Sequence, residues 1–230
     1  MKFGIVTFPG SNCDDDAYVA VTEALGASAE RLWHKDHDLK GVDVVILPGG
    51  FSYGDYLRAG GIARFSPIMR EVVEHARRGG PLLGICNGFQ ILCESHLLPG
   101  ALLRNAHLQF VCETVTLRVE NTDTMFTNQY QAGQLLRIPV AHGDGRFTID
   151  ADGLARLQDG NQVVFRYADA NGQVVASASP NGSMDNIAGI INERGNVMGL
   201  MPHPERVVNP LVGGRDGLGV FESLLARVAA

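Results

Sequence analysis

The chain has 230 residues, of which 45% are apolar and 19% are charged, a composition typical of a globular protein with a sizeable core. Its 25 acidic residues outnumber its 19 basic residues, which gives a net charge of −6 and argues against a nucleic-acid-binding function, since that would usually require a basic face. No apolar run reaches the roughly 20 residues needed to cross a bilayer, and the first residues lack the features of a signal peptide, so we expect a cytoplasmic protein without membrane contact.

The chain contains four cysteines, at positions 13, 86, 93 and 112. They form no Cys-x-x-Cys pair and no dense framework, so we expect free thiols in a reducing compartment. The cysteines and histidines together show no spacing typical of metal ligands. We therefore expect no metal in this chain.

Short apolar runs alternate with helical patterns in the first half of the chain, which predicts an α/β fold with a mostly parallel sheet. Strands are predicted at residues 3–8, 29–33, 43–47 and 82–85. Helices are predicted at residues 15–25, 67–78 and 87–94. Glycines at positions 26, 79 and 80 follow two of these helices and mark their ends.

The second half of the chain favours antiparallel strands, because apolar and polar residues alternate. Strands are predicted at residues 111–119, 135–141, 162–167, 173–177, 188–191 and 197–200. Asn171-Gly172 is typical of a tight hairpin turn, and a closing helix is predicted at residues 217–228. We find no internal repeat or linker, so residues 1–230 are predicted to form a single domain.

The stretch from Pro81 to Gln90 carries the strongest chemical signal. A predicted buried strand runs into Gly84-Ile85-Cys86-Asn87-Gly88, and a predicted helix follows, which is the order of a nucleophile elbow. An arbitrary cysteine is more often a small core residue, and we keep that interpretation for Cys93. At a helix N-terminus, however, a thiol is favoured as the thiolate. Cys86 is therefore predicted to be a nucleophile, with the Asn87 N–H directed at the oxyanion formed during attack.

The best candidate for a general base is His203, in Met201-Pro202-His203-Pro204-Glu205-Arg206. It follows a predicted apolar strand, which places it at the carboxyl edge of the sheet, where sites in such sheets cluster. Glu205 is close enough to bond one ring nitrogen and to leave the other for the thiol.

The remaining histidines are weaker candidates for a base. His34 and His37 lie in a charged run that we expect to be solvated, and His75 lies on a predicted exposed helix face. His142 follows a strand in Ala141-His142-Gly143-Asp144-Gly145. For this last histidine a role in a site or an interface remains open.

A glycine-rich loop, Pro48-Gly49-Gly50-Phe51-Ser52-Tyr53-Gly54-Asp55, follows another buried strand. It matches neither the dinucleotide-binding fingerprint nor the GxxxxGK[ST] pattern, so a phosphate cradle is weakly supported. A plain turn is the alternative. We favour a donor loop, because Gly49 and Gly50 let backbone N–H groups approach a reacting carbonyl, and one of them can complete an oxyanion hole with Asn87.

Gly84-Ile85-Cys86-Asn87-Gly88-Phe89-Gln90 and His203-Pro204-Glu205 together resemble the class I, or triad-type, glutamine amidotransferases. Residues 48–55, 141–145 and 213–217 are further similar to the glutaminase subunits of phosphoribosylformylglycinamidine synthase, an enzyme of purine biosynthesis. The likeness covers nearly the whole chain. It departs at Asp144, where the family usually has a glutamate.

The resemblance implies a flavodoxin-like, mostly parallel sheet with flanking helices and a smaller antiparallel sheet. It also implies that Cys86, His203 and Glu205 form a catalytic triad. Gly50 and Asn87 would donate hydrogen bonds to the oxyanion.

The resemblance further implies that Gln90, together with Gly49 and Phe51, contacts the substrate. His142 and Asp144 remain candidates for the site or for an interface.

The implied reaction is hydrolysis of glutamine to glutamate and ammonia through a thioester on Cys86. The ammonia would pass to a large synthetase subunit, which converts formylglycinamide ribonucleotide to its amidine with ATP on the route to IMP. A small third subunit would bridge the two. No cofactor is expected in this chain, whereas ATP and Mg are expected on the synthetase subunit.

Two other interpretations remain open. A cysteine hydrolase or chaperone of the same fold would share the elbow, but such proteins generally lack His-Pro-Glu after the last strand and the glycine-rich loop. A catalytically silent regulatory subunit would not need an intact set of Cys86, His203 and Glu205.

Overall fold

A computed structural model describes residues 1–226 of the chain. The strands are β1 (Lys2–Thr7), β2 (Ser28–Trp33), β3 (Val44–Leu47), β4 (Leu82–Ile85), β5 (Ala101–Leu103), β6 (Val111–Val119), β7 (Leu135–His142), β8 (Arg146–Thr148), β9 (Val163–Ala168), β10 (Ile187–Ile191) and β11 (Val197–Leu200). The helices are α1 (Asp14–Val19), α2 (Pro67–Arg77), α3 (Asn87–Glu94), α4 (Ala151–Asp159) and α5 (Leu218–Ala226). All but one of the predicted strands and helices are confirmed, although residues 227 and 228 of the predicted last helix lie outside the described residues.

Within residues 1–226, nine strands form one continuous sheet in the order β2-β1-β3-β4-β11-β10-β9-β6-β7. The first five strands in this order pair in parallel, and the remaining pairs are antiparallel. Every residue of β3 and β4 is buried, which explains why these parallel strands are unbroken apolar runs. Strands β5 and β8 form a separate antiparallel pair, so the predicted fold class is confirmed.

Helix α1 is extended by a π-helical turn, Ala20–Ala24. In this turn the Leu25 N–H donates to the carbonyl of Ala20, at 3.0 Å. The chain then leaves the helix at Gly26, whose φ is +70°. The glycine therefore ends the helix as predicted, because it adopts a left-handed conformation at little cost.

The predicted strand at residues 173–177 is wrong, although the turn before it is present. Gly172 has a φ of +79°, and its N–H donates to the carbonyl of Asp169. The chain then forms a short 3₁₀ turn, Ala176–Ala178, instead of a strand. Both edges of β9 are already paired, with β10 and with β6, so no edge is open for a hairpin partner.

The expectation that His34 lies on a solvated surface is also wrong, because its side chain is 4% exposed. Its Nδ1 lies 2.8 Å from the hydroxyl of Tyr53, and burial is the main cause that lowers the pKa of this histidine. His34 therefore helps to hold the glycine-rich loop against β2.

The sheet topology brings three loops to one edge. Strands β3, β4 and β11 are parallel neighbours, so the segments after them start side by side: the glycine-rich loop, the elbow at Cys86 and the segment with His203. The end of β7 reaches the same place, since the His203 N–H donates to the carbonyl of Pro139 at 2.8 Å. No helix among the described residues is long and apolar enough to span a membrane.

Candidate active site

Cys86 lies on a strained turn between β4 and α3, with φ 50° and ψ −104°. A residue other than glycine rarely adopts such dihedral angles, and strain of this kind clusters at functional sites. The turn is tight because α3 packs closely on the sheet. A Cβ atom at Gly84 would lie 2.5 Å from Leu92, and one at Gly88 would lie 2.0 Å from the carbonyl oxygen of Leu47. Both glycines of the elbow are therefore sterically required.

The Cys86 thiol faces two small cavities rather than the core. Its side chain is almost fully buried, and it lines one cavity of about 130 Å³ and another of about 150 Å³. The two cavities adjoin each other and share five lining residues: Gly50, Phe51, Cys86, Phe110 and Ala141. The thiol points at the carbonyl oxygen of Ala141, 3.7 Å away. Cys86 precedes the first turn of α3, where the helix leaves N–H groups without intrahelical partners.

His203 and Glu205 form a buried pair beside this thiol. Their Nδ1 and Oε1 atoms lie 2.6 Å apart, and both side chains are nearly inaccessible to solvent. Burial by itself lowers the pKa of His203, but Glu205 and Cys86 outweigh it, so the pKa lies well above its ordinary value. The other ring nitrogen, Nε2, is buried and has no hydrogen-bond partner among the described residues. Since His203 lines the same cavity as Cys86, this nitrogen is the one left for the thiol and the substrate.

A second thiol, Cys13, also lies beside His203, and no sequence pattern indicated it. Cys13, His203 and Glu205 each have one potential ligand atom within 4.8 Å of the others. A guanidinium nitrogen of Arg206 lies 3.1 Å from the Cys13 sulfur. This positive charge opposes a metal cation among the three side chains. Arg206 follows Glu205 directly in the chain, and this adjacency could have indicated that Arg206 lies near the site.

The glycine-rich loop packs directly against the elbow. A Cβ atom at Gly49 would lie 2.7 Å from the imidazole of His203, and one at Gly50, whose φ is +147°, would lie 2.8 Å from Ser11. The Ser52 N–H donates to the side-chain oxygen of Asn87 at 3.2 Å. The loop is thereby fixed next to the N-terminus of α3, which is the arrangement expected for Gly50 and Asn87 as joint hydrogen-bond donors.

Gln90 lines the larger cavity, but both ends of its amide are engaged by the protein. Its Oε1 accepts a hydrogen bond from the Asn87 side chain at 2.8 Å, and its Nε2 donates to the backbone carbonyl of Asp144 at 2.6 Å. The Asn87 side chain also lies 3.4 Å from a carboxylate oxygen of Asp55. Gln90 and Asn87 thus connect the two loops that carry Asp55 and Asp144.

Two aromatic rings lie at the mouth of the site. Phe51 and Phe110 line both cavities, and their ring centroids are 6.4 Å apart. Both side chains are about half exposed. Phe51, which the sequence predicts to contact the substrate, thus lies beside Cys86, and its role stays a prediction. Phe110 precedes β6 and was missed, because nothing in its sequence context connects it to the elbow.

His142 is a buried part of the wall rather than a free base. Its Nδ1 lies 3.2 Å from the side-chain oxygen of Asn105, which also accepts a hydrogen bond from the Gly145 N–H at 3.1 Å. Burial, together with the nearby His203, lowers the pKa of His142 to about 4. It is therefore neutral near pH 7, and its visible role is to hold the loop that carries Asp144.

Residues 1–213 match the model of the CobB/CobQ-like glutamine amidotransferase domain. The chain is 58% identical to the phosphoribosylformylglycinamidine synthase subunit PurQ of Salinibacter ruber, over 99% of this chain and 97% of that protein. It is 59% identical to the PurQ subunit of Chlorobaculum tepidum, over 98% of this chain and 97% of that one.

A solved structure, that of PurLQS from Thermotoga maritima, contains a chain of the same fold. The two chains superpose with a TM-score of 0.87 and are 47% identical, over 99% of this chain and 98% of that chain. The chain therefore belongs to the family of CobB/CobQ-like glutamine amidotransferase domains, and within it to the family of the PurQ subunits.

Proposed function

We propose that this chain is the glutaminase subunit of a phosphoribosylformylglycinamidine synthase and supplies ammonia for purine biosynthesis. The single observation that carries the chemistry is the buried His203–Glu205 pair: His203 lines a cavity together with Cys86, and its Nε2 has no hydrogen-bond partner among the described residues. The high identity to PurQ subunits over nearly the full length supports the assignment of the released ammonia to purine biosynthesis. An intact set of nucleophile, base and orienting acid argues against a silent regulatory subunit.

In this proposal the Cys86 thiolate attacks the side-chain carbonyl carbon of glutamine. The oxyanion is stabilised by the N–H groups of Gly50 and Asn87, next to the positive end of the α3 dipole. Imidazolium His203 gives its proton to the amine, so that ammonia leaves and a γ-glutamyl thioester remains. His203 then takes a proton from water, the hydroxide adds to the thioester, and glutamate and the thiol are released. Glu205 orients the ring and stabilises its charged form.

The released ammonia requires a partner that consumes it. We propose that the chain assembles with a large synthetase subunit and a small third subunit, as the name PurLQS of the structural relative indicates for that complex. ATP and Mg would bind on the large subunit. We further propose that the complex works in the cytoplasm.

The proposal is tested with the assembled enzyme and the variant Cys86→Ala. We expect glutamine-dependent synthesis to fall by at least about 10³-fold, because no thioester can form. Synthesis with added ammonium salt should be unchanged, since the synthetase chemistry lies on another subunit. Cys93→Ala is the matched control, because burial raises the pKa of this thiol and it lines neither cavity.

The second thiol beside His203 calls for a direct identification of the nucleophile. An electrophilic glutamine analogue should modify Cys86 and leave Cys13 unmodified when the labelled peptides are mapped by mass spectrometry. Labelling of Cys13 in place of Cys86, or glutamine-dependent activity in Cys86→Ala, would overturn the assignment.

A further inference from the structure

The glycine-rich loop is held in a conformation that several of its own residues disfavour. Tyr53 has a φ of 56° and a ψ of 27°, and Asp55 and Leu57 have φ values of 53° and 75°. Residues with a Cβ atom rarely adopt this left-handed conformation, and bulky residues do so least readily. Three such residues within five positions therefore require contacts from outside the loop that keep it in place.

The hydroxyl of Tyr53 makes two contacts of this kind. It lies 2.8 Å from Nδ1 of His34 and 2.8 Å from Oγ of Ser66, and both of these partners are buried. A phenol hydroxyl donates one hydrogen bond and also accepts, so both contacts can form together. Because His34 directly follows β2 and Ser66 directly precedes α2, the hydroxyl joins the loop to two separate elements.

Ser66 makes this bond in place of a helix cap. It lies just before the first turn of α2, where a serine side chain commonly caps the helix, yet its side chain makes no capping bond to the described helix. The Ile68 N–H instead donates to the backbone carbonyl of His34, at 3.1 Å. The carbonyl of His34 thus replaces the serine cap and leaves the Ser66 hydroxyl for Tyr53.

The anchored residue is close in the chain to the proposed oxyanion donors. Gly50 precedes Tyr53 by three residues. The Ser52 N–H, between them, donates to the side-chain oxygen of Asn87 at 3.2 Å. A shift of the Tyr53 ring would therefore change the position of the loop relative to the N-terminus of α3, where the oxyanion forms.

We propose that Tyr53 is a positioning residue of the glutaminase reaction, an inference that rests on the proposed glutaminase function. Its bonded hydroxyl holds the glycine-rich loop so that the Gly50 N–H faces the oxyanion formed on attack by Cys86. Among the described residues, Tyr53 lines neither cavity of the site, so it acts through the loop. Since the oxyanion exists only after the attack, a misplaced donor lowers kcat and leaves the binding of glutamine nearly unchanged.

The test is Tyr53→Phe in the assembled enzyme, a change that removes only the hydroxyl. With glutamine, kcat should fall about 3- to 10-fold, the size expected for the loss of one or two neutral hydrogen bonds, and KM should stay within about twofold. Synthesis with added ammonium salt should be unchanged. The Tyr53 N–H still donates to the carbonyl of Pro9, 2.6 Å away, so the loop remains attached in the variant.

Ser66→Ala tests the same bond from its other end. Since the Ser66 side chain makes no capping bond to the described helix, this change should leave α2 intact and lower kcat in the same direction. The double variant of Tyr53→Phe with Ser66→Ala should lose little more than Tyr53→Phe alone, because both changes break one bond.

Tyr130→Phe is the matched control for the loss of a bonded tyrosine hydroxyl. Tyr130 is buried, and its hydroxyl donates to the carbonyl of Asp216 at 2.7 Å, outside the glycine-rich loop. Urea unfolding should show a similar loss of stability in this variant and in Tyr53→Phe. Only Tyr53→Phe should lower kcat, so the fall in kcat is separated from a general loss of stability.

An unchanged kcat in Tyr53→Phe, additive losses in the double variant, or an equal fall of kcat in Tyr130→Phe would overturn the positioning role. The glutaminase function would stand in each of these cases as long as Cys86→Ala abolishes glutamine-dependent synthesis. If Cys86→Ala kept that activity, the function itself would be wrong whatever the effect at Tyr53, so the two failures are distinguishable.

Discussion

At the scale of single residues, the protonation of His203 depends on the charges of Glu205 and Cys86. Burial opposes a charged imidazole, and Glu205, at 2.6 Å, together with the thiol reverses that effect. The carboxylate is itself buried and accepts this one strong hydrogen bond, while its second oxygen has no partner among the described residues. The pair therefore tolerates a proton on the ring only as long as Glu205 is ionised.

The variant Glu205→Gln tests this dependence. Without the negative charge the pKa of His203 falls, so the proton needed by the departing amine is lost at lower pH. We expect kcat to drop roughly 10²- to 10⁴-fold, and the alkaline limb of the kcat/KM profile to move to lower pH. The profile is measured with glutamine in the assembled complex. An alkaline limb at the same pH as in the parent enzyme would show that the carboxylate does not set the charge of His203.

At the scale of elements, the elbow depends on how closely α3 approaches the sheet. Gly88 lies on the first turn of the helix, where its backbone meets the carbonyl of Leu47 at the end of β3. The opposing atom belongs to the backbone of a buried strand, so it cannot move aside as the tip of a side chain could. A shift of α3 away from the sheet would therefore also move Cys86, which directly precedes the helix.

The variant Gly88→Ala should destabilise the fold by about 1–3 kcal/mol, as overpacking commonly does, and should lower glutaminase activity because α3 and Cys86 shift together. Chemical denaturation and ammonia release measure the two effects. Gly133→Ala is the comparison, since its φ is +77° but a Cβ atom there meets nothing within 4 Å. It should cost about 1–2 kcal/mol through its backbone alone and leave activity unchanged. A smaller destabilisation at position 88 than at 133 would refute the steric argument.

At the scale of the whole molecule, a buried polar network connects the antiparallel half of the sheet to the site. The side chain of Asn105 bonds the backbone of His142 at 2.9 Å, and Asn181 bonds the carbonyl of Gly145 at 2.8 Å. Because these residues are far apart in the chain, the network forms only in the folded state. It couples the loop next to Cys86 to global stability.

His142 makes this coupling depend on pH. Its pKa is about 4 in the folded protein and about 6.5 in an unfolded chain. Between these values the unfolded state binds more protons, so this histidine contributes stability above pH 6.5 that is lost as the pH falls toward 4. The contribution of Asp55 to stability changes with pH in the opposite direction. Its pKa is about 6 in the folded protein, above its value in an unfolded chain, so the folded state binds more protons over this range.

The variant His142→Asn should therefore have a flatter stability profile than the parent chain between pH 6.5 and 4. Asn at this position can still bond Asn105, and it cannot titrate. Urea unfolding at several pH values should give a difference between parent and variant that changes by about 2–3 kcal/mol over the window. Comparing the two proteins cancels the contribution of Asp55. Parallel profiles would mean that His142 does not titrate as its burial requires.

The sequence by itself determined the parts of this protein that depend on local order. The β4–Cys86–α3 elbow and the β11–His203–Glu205 segment were predicted with correct bounds, because glycine spacing, apolar runs and prolines act over a few residues. The single-domain organisation stays a prediction.

Only the tertiary structure decided which distant residues share the site. Sheet order and loop packing bring Cys13, Asp55, Phe110 and Arg206 to the cavities that Cys86 also lines, and no local pattern encodes this proximity. The strand predicted at residues 173–177 fails for the same reason, since its alternation is suitable but both edges of β9 are taken. Local propensity sets what a segment can form, and competition for long-range partners decides what it does form.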